Sequence, residues 1–213
     1  MLLLAFDTAT PAITVALHDG STVIAAVSRV DAMRHGEYLA PSIVAVLAQA
    51  EVSRRDVTDI AVGVGPGPYT GLRVGVVTAR TLASSLGAHL HGVCSLDIVA
   101  GGFTGSGPFA VATDARRKEV YWARYGANGR RVDGPYVARP DDVAAQLGPD
   151  LPVIGRGAHA YSDVLHAVDG PLDPDAAVFA ERVVRGEIEV LPPEPLYLRR
   201  PDATPPGQRK RAS

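Results

Sequence analysis

Nine residues constrain this chain more than any others: Gly65-Pro66-Gly67-Pro68-Tyr69-Thr70-Gly71-Leu72-Arg73. The apolar run Ile60 to Val64 precedes them and reads as a buried strand. Leu72 to Leu86 follows, free of Gly and Pro beyond Gly75, and reads as a helix. Glycine permits positive φ and close backbone approach, and proline fixes φ and forces the chain to turn. The stretch therefore predicts a stiff strand–loop–helix junction that aims backbone amides outward, with Thr70 available as a helix cap. Such a junction can hold an anion, or it can be a rigid turn with no ligand. It is not a Walker-type phosphate loop, because Gly71 leads into Leu72 and Arg73 where that motif needs Lys and Ser or Thr.

The rest of the chain arranges itself around this junction. Leu2–Phe6, Ala12–His18 and Thr22–Arg29 read as strands, with Asp7–Pro11 as a turn and Asp19-Gly20 as a hairpin signal. A helix is predicted from about Arg34 to Ala50, although Pro41 falls within its first turns. Ser53 to Asp56 has the form of a capping box. After the junction come a short strand, His89–Val93, and a helix from Ser95 to about Ala100. Gly101 to Pro108 is the best linker. The order then recurs: strands Phe109–Thr113, Glu119–Tyr125 and Arg131–Ala138, helix Pro140–Leu147, strand Leu151–Ile154, and helices Ala158–Ala167 and Ala176–Arg185. A doubled βββαβα order predicts an α/β chain of the actin-like, sugar-kinase-like (ASKHA) architecture. Its halves are 1–103 and a smaller, degenerate 104–213.

Composition excludes several classes. A net charge of −2 over 213 residues offers no global attraction for nucleic acid. The single cysteine, Cys94, excludes an internal disulfide and fits a reducing cytoplasm. Asp7 ends the first apolar run too early for a signal peptide, and no run approaches the roughly 20 apolar residues of a membrane span.

Four segments together resemble the TsaB (YeaZ) family: Leu4-Ala5-Phe6-Asp7-Thr8-Ala9-Thr10, the run GPGPYTGLRVG from Gly65 to Gly75, Asp114-Ala115-Arg116-Arg117-Lys118-Glu119-Val120-Tyr121, and Pro195-Leu196-Tyr197-Leu198-Arg199. The resemblance implies a non-catalytic subunit of the complex that makes threonylcarbamoyladenosine beside the anticodon of tRNA. Its partners would be a TsaD-type paralogue carrying the catalytic metal site and a TsaE-type ATPase. ATP would be used by the complex, tRNA met through it, and no cofactor held tightly by this chain. Alone, such a chain would form a homodimer.

The residues themselves lean the same way. Two histidines four apart on a helix can share a metal, but Leu39 stands four after His35. His89 and His91 share a strand face, with no third ligand nearby in sequence. Phosphate-gripping turns favour glycine, and neither Asp7–Pro11 nor Asp114–Lys118 contains one. Asp7, Thr8, Gly65, Gly67, Asp114 and Arg116 are the candidates if a nucleotide binds. No Gly-x-Ser-x-Gly elbow exists, and the paired histidines of a metal-dependent peptidase are missing; such a peptidase, or a small-molecule kinase of the same superfamily, is the alternative. The helix after the glycine loop has only Arg73 and Arg80 as charges, and Gly75, Ala79 and Ala83 follow at spacings of four. With the preceding helix it predicts a partner surface of Met33, His35, Leu39, Ile43, Leu47, Leu72, Gly75, Val76, Ala79 and Ala83. Burial of both helices against the sheet is the competing expectation. Arg199, Arg200, Arg209, Lys210 and Arg211 outnumber Asp202 in a basic tail.

Overall fold

In the computed structural model, residues 1–199 are described. Two mixed sheets repeat one plan. In the first, β1 (Leu3–Asp7), β2 (Ala12–His18) and β3 (Val23–Val30) form an antiparallel meander, and β4 (Asp59–Gly63) and β5 (His89–Val93) add parallel to β1, giving the order β3-β2-β1-β4-β5. The second repeats the meander with β6 (Phe109–Asp114), β7 (Val120–Tyr125) and β8 (Arg131–Ala138). The two-residue strand β9 (Val153–Ile154) lies parallel to β6 where β4 lies against β1. This is the duplicated actin-like, sugar-kinase-like plan that the element order predicts.

Strand residues alternate between faces, and the helices follow that division. On one face of the first sheet Leu4, Phe6, Ile13, Val15, Leu17, Ile60 and Val62 meet α1 (His35–Gln49) and α2 (Tyr69–Leu86). On the other, Leu3, Ala5, Ala16 and Ala61 meet α6 (Ala176–Arg185) through Ala176, Phe179 and Ala180. The helix covering this underside thus comes from the far end of the chain. Conversely, α3 (Ser95–Gly101), which follows β5, sends Leu96, Val99 and Ala100 into the core of the second sheet with Phe109, Val111 and Tyr125. The opposite face of that sheet, with Trp122 and Val153, is covered by α4 (Pro140–Leu147) and α5 (Arg156–Ala160). The two halves of the sequence interlock rather than sit side by side.

The C-terminal segment ties them further. Leu191 pairs with Gly92 in an isolated antiparallel bridge, and the Leu196 amide donates to the Val64 carbonyl at 2.8 Å. Both leucines pack against the cores of both sheets. Arg199 then donates to the Ala115 carbonyl at 3.0 Å and pairs with Glu119.

Two local expectations change, and a third is met. Thr70 does not cap α2; the helix begins at Tyr69, three residues before the predicted start, with Pro68 at the N-cap and no capping side chain. The predicted helix Ala158–Ala167 stops at Ala160, because residues 166–168 run along β9: the Val153 amide donates to the His166 carbonyl and the Val168 amide to the Val153 carbonyl. The Ser53 capping box forms, but it closes only the 3-10 turn Arg54–Asp56. Of the basic tail, Arg200, Arg209, Lys210 and Arg211 lie outside the described residues.

Candidate functional site

The β1–β2 turn and the glycine loop are built against each other. Asp7 is buried, its Oδ1 accepting from the Ala9 amide at 2.7 Å and its Oδ2 from the Ser95 hydroxyl at 2.5 Å. Ser95 closes the circuit, because its Oγ accepts from the Gly65 amide at 3.1 Å and its own amide donates to the Gly65 carbonyl at 2.7 Å. The Thr8 hydroxyl donates to the Gly71 carbonyl at 2.8 Å. Burial pushes the Asp7 carboxyl up to about 6, against the opposing pull of the Ser95 hydrogen bond.

The glycines have the same cause. A Cβ on Gly63 would overlap the Asp7 carboxylate, one on Gly67 the Ala9 carbonyl, one on Gly71 the Thr8 carbonyl and one on Gly75 the Thr8 hydroxyl. Glycine at each of these positions lets the turn settle onto the loop and the first two turns of α2. Of the two readings of the loop, the rigid turn is the one these contacts describe. The close approach at Gly75 is likewise to Thr8.

The other nucleotide candidates fare differently. Thr8, Asp114 and Arg116 do come together, lining a cleft of about 260 Å³ with Thr10, Met33, His35, Thr70 and Gly71. Asp7, Gly65 and Gly67 are not part of its lining. Asp114 Oδ1 accepts from the Arg116 amide at 2.9 Å. Arg116, Arg117 and Lys118 all have positive φ, so the second turn is held in a conformation that non-glycine residues rarely adopt.

His35 is buried, its Nε2 lying 2.7 Å from the Thr10 carbonyl; an acceptor there places the proton on Nε2. Leu39, where a second ligand would stand, is in the core at 1% exposure. His89 and His91 flank Asp59, with His91 Nε2 at 3.2 Å from its carboxylate. Among the described residues no group of three or more His, Cys, Asp or Glu side chains is placed to hold a metal ion. Burial pushes the Cys94 thiol up to about 12, which leaves no thiolate nucleophile.

The predicted partner surface needs correction. Leu39, Ile43, Leu72, Gly75, Val76, Ala79 and Ala83 are buried in the chain's own core, His35 lies beneath Thr10, and Leu47 is half-buried. Of those ten residues Met33 alone stands fully on the surface. The apolar stripe faces the sheet. What is left outside is the opposite face: Ala40, Pro41, Val44, Ala45 and Ala48 on α1, and Val77 with Arg73, Arg80, Thr81 and Ser84 on α2. Val44 and Val77 remain 64% and 55% exposed. Glu37 is the one acidic residue on α1, and α2 carries none. A helix face this poor in charge is unusual on a free surface. Sequence pattern alone pointed to the wrong side because small residues carry weak hydrophobic signal; the clue was the scarcity of charge all round both helices.

A sequence model of the family "TsaD: tRNA N6-adenosine threonylcarbamoyltransferase" matches residues 26–170. The tRNA threonylcarbamoyladenosine biosynthesis protein TsaB of Escherichia coli is 30% identical over 223 residues, covering 93% of this chain and 95% of that protein. The chain belongs to the TsaB/YeaZ family. A Pseudomonas aeruginosa structure described as similar to peptidase YEAZ superposes with a TM-score of 0.79 at 31% identity, over 93% of this chain and 99% of that one. Protein ML0378 of Mycobacterium leprae is 43% identical over 96% of this chain, which spans 56% of that protein's length. The Asp7 turn and the glycine loop, two of the segments that carry the resemblance, are here packed on each other.

Proposed function

We propose that this chain is a non-catalytic scaffold subunit in the formation of threonylcarbamoyladenosine beside the anticodon of tRNA. It pairs with a TsaD-type paralogue that carries the transfer chemistry, and a TsaE-type ATPase joins the pair in the cytoplasm. ATP is used by that assembly, and this chain holds no cofactor tightly. The observation that carries the reading is the outer face of α1 and α2, where Ala40, Pro41, Val44, Ala45, Ala48 and Val77 lie exposed with few charges among them. Exposed apolar patches of this kind mark protein contacts, and a paralogue with the same fold presents a matching helix pair. The same face serves self-association, so homodimer and heterodimer compete.

The non-catalytic part of the reading is supported by Asp7. The first-strand aspartate of a kinase-like site must reach magnesium water, whereas this one is spent on Ser95 and Ala9. A metal-dependent peptidase would need a second histidine one turn after His35, and the buried Leu39 stands there instead.

The test is Val44→Glu combined with Val77→Glu. Both side chains are exposed, so the effect on monomer stability should stay within about 0.5 kcal/mol per site. Size-exclusion chromatography should show a folded monomer that no longer joins the TsaD-type paralogue. Undiminished pairing by the double variant would move the interface elsewhere.

A further inference from the structure

Residues 191–199 cross from one half of the molecule to the other. They leave the first sheet at Leu191, bonded to Gly92, and pass the glycine loop at Leu196, bonded to Val64. Tyr197 then lays its ring on that of Tyr69, the centroids 5.4 Å apart and the planes 26° apart. Arg199 reaches the β6–β7 turn of the second half, its Nη1 donating to the Ala115 carbonyl at 3.0 Å and its guanidinium pairing with Glu119. Each end of this span holds the immediate neighbours of cleft residues. Pro68 and Thr70, on either side of Tyr69, line one wall of the cleft; Asp114 and Arg116, on either side of Ala115, line the other.

The turn that Arg199 grips needs holding. Arg116, Arg117 and Lys118 have φ of 60°, 54° and 60°, a left-handed run that residues with a Cβ keep only where their surroundings impose it. Inside the turn the Ala115 amide donates to the Glu119 carbonyl at 2.9 Å, and the Glu119 amide to the Arg116 carbonyl at 3.0 Å. Arg199 closes on the outside of the same two residues, Ala115 and Glu119. The anchor on the first half is looser. Leu191 and Leu196 pack against both cores, but Tyr69 and Tyr197 are 45% and 43% exposed. The stacked rings can therefore part without opening either core.

We infer that residues 197–199 are a clasp that sets the width of the cleft, Tyr197 holding the first half and Arg199 the turn that carries Asp114 and Arg116. Two-lobed folds open and close by hinge motion between their halves, and a strap tied to both walls limits that motion. The clasp belongs to the chain alone and needs no partner.

Hydrogen exchange and a distance measurement on the full-length chain test this. Tyr197→Ala and Arg199→Ala should each speed exchange of the Ala115 and Glu119 amides about tenfold through local opening, with β2 unchanged. Tyr197 is stacked on the opposite wall, so a merely local contact at Arg199 would leave the Tyr197→Ala variant exchanging as the parent does. Tyr197→Phe keeps the ring and should match the parent. For the cleft itself, spin labels go on Met33→Cys and Asp142→Cys, exposed positions on the two halves; the buried Cys94 stays unlabelled. Pulsed electron paramagnetic resonance should give a narrow distance distribution in the parent background. Either alanine variant should broaden it towards longer separations. Unchanged exchange at Ala115 and Glu119 in Tyr197→Ala would overturn the inference. So would exchange that rises equally in β2, which marks general destabilisation. Turn amides that loosen while the label distances keep the parent's distribution would overturn it too, because the segment would then hold the turn and not the cleft.

Discussion

Asp7 behaves as an acid that folding prefers to keep protonated. Its carboxyl is raised from an ordinary 3.8 to about 6 by burial. Between about pH 4 and pH 6 the folded chain therefore holds a proton that the unfolded chain releases. Stability contributed by this group is full below about pH 4 and lost as pH rises through about 6, by about 3 kcal/mol. Asp7→Asn, which resembles the protonated acid, should flatten that loss; urea midpoints at pH 4.5 and 7.5 compare the two, and parallel profiles would refute the assignment. Gly75 offers a second test. Gly75→Ala should cost about 1–3 kcal/mol through its clash with the Thr8 hydroxyl. Thr8→Ala clears that space, so the double variant should lose less than the sum of the singles. The sequence placed Asp7 and Thr8 at a turn but could not show their partners. Ser95 lies 88 residues away, and only folding puts it there. The periodic glycines Gly63, Gly67, Gly71 and Gly75 were the legible trace of that packing.

Among the elements, strands and helices were readable wherever their apolar pattern was strong, and misread wherever a tertiary partner decided. Leu3–Asp7 and Ala12–His18 are buried along their whole length, and their apolar runs announce it. Residues 158–167 carry enough Ala, Val and Leu to suggest helix, but the chain turns after Ala160 and pairing with Val153 claims residues 166–168. On α2 the pattern located the helix and left its sides undecided. Ala79, at 0% exposure, faces the sheet, so Ala79→Glu should unfold the chain or destabilise it by several kcal/mol rather than yield a folded monomer unable to bind its partner. Circular dichroism decides this directly. At α6 the Asp175 carboxylate accepts from the Ala177 amide at 2.7 Å; Asp175→Ala should cost about 1 kcal/mol, visible in thermal melts.

At the scale of the whole molecule, the doubled element order foretold two sheets of one plan. It could not foretell that α3 and α6 would trade places between them, since a helix reads the same whichever sheet it covers. That exchange bears on how the protein is made. When the first hundred residues have left the ribosome, the upper face of the first sheet can be closed by α1 and α2. Its underside, Leu3, Ala5, Ala16 and Ala61, has no cover until Phe179 and Ala180 are synthesised. At about 5–20 residues per second, that leaves an apolar sheet face bare for several seconds in every round of translation. Nascent chains stalled near residue 150 should therefore recruit chaperones and yield to protease across β1 and β2. Chains stalled with residue 199 fully outside the tunnel should resist. An N-terminal half expressed by itself would carry the same exposed face permanently, and should aggregate rather than fold.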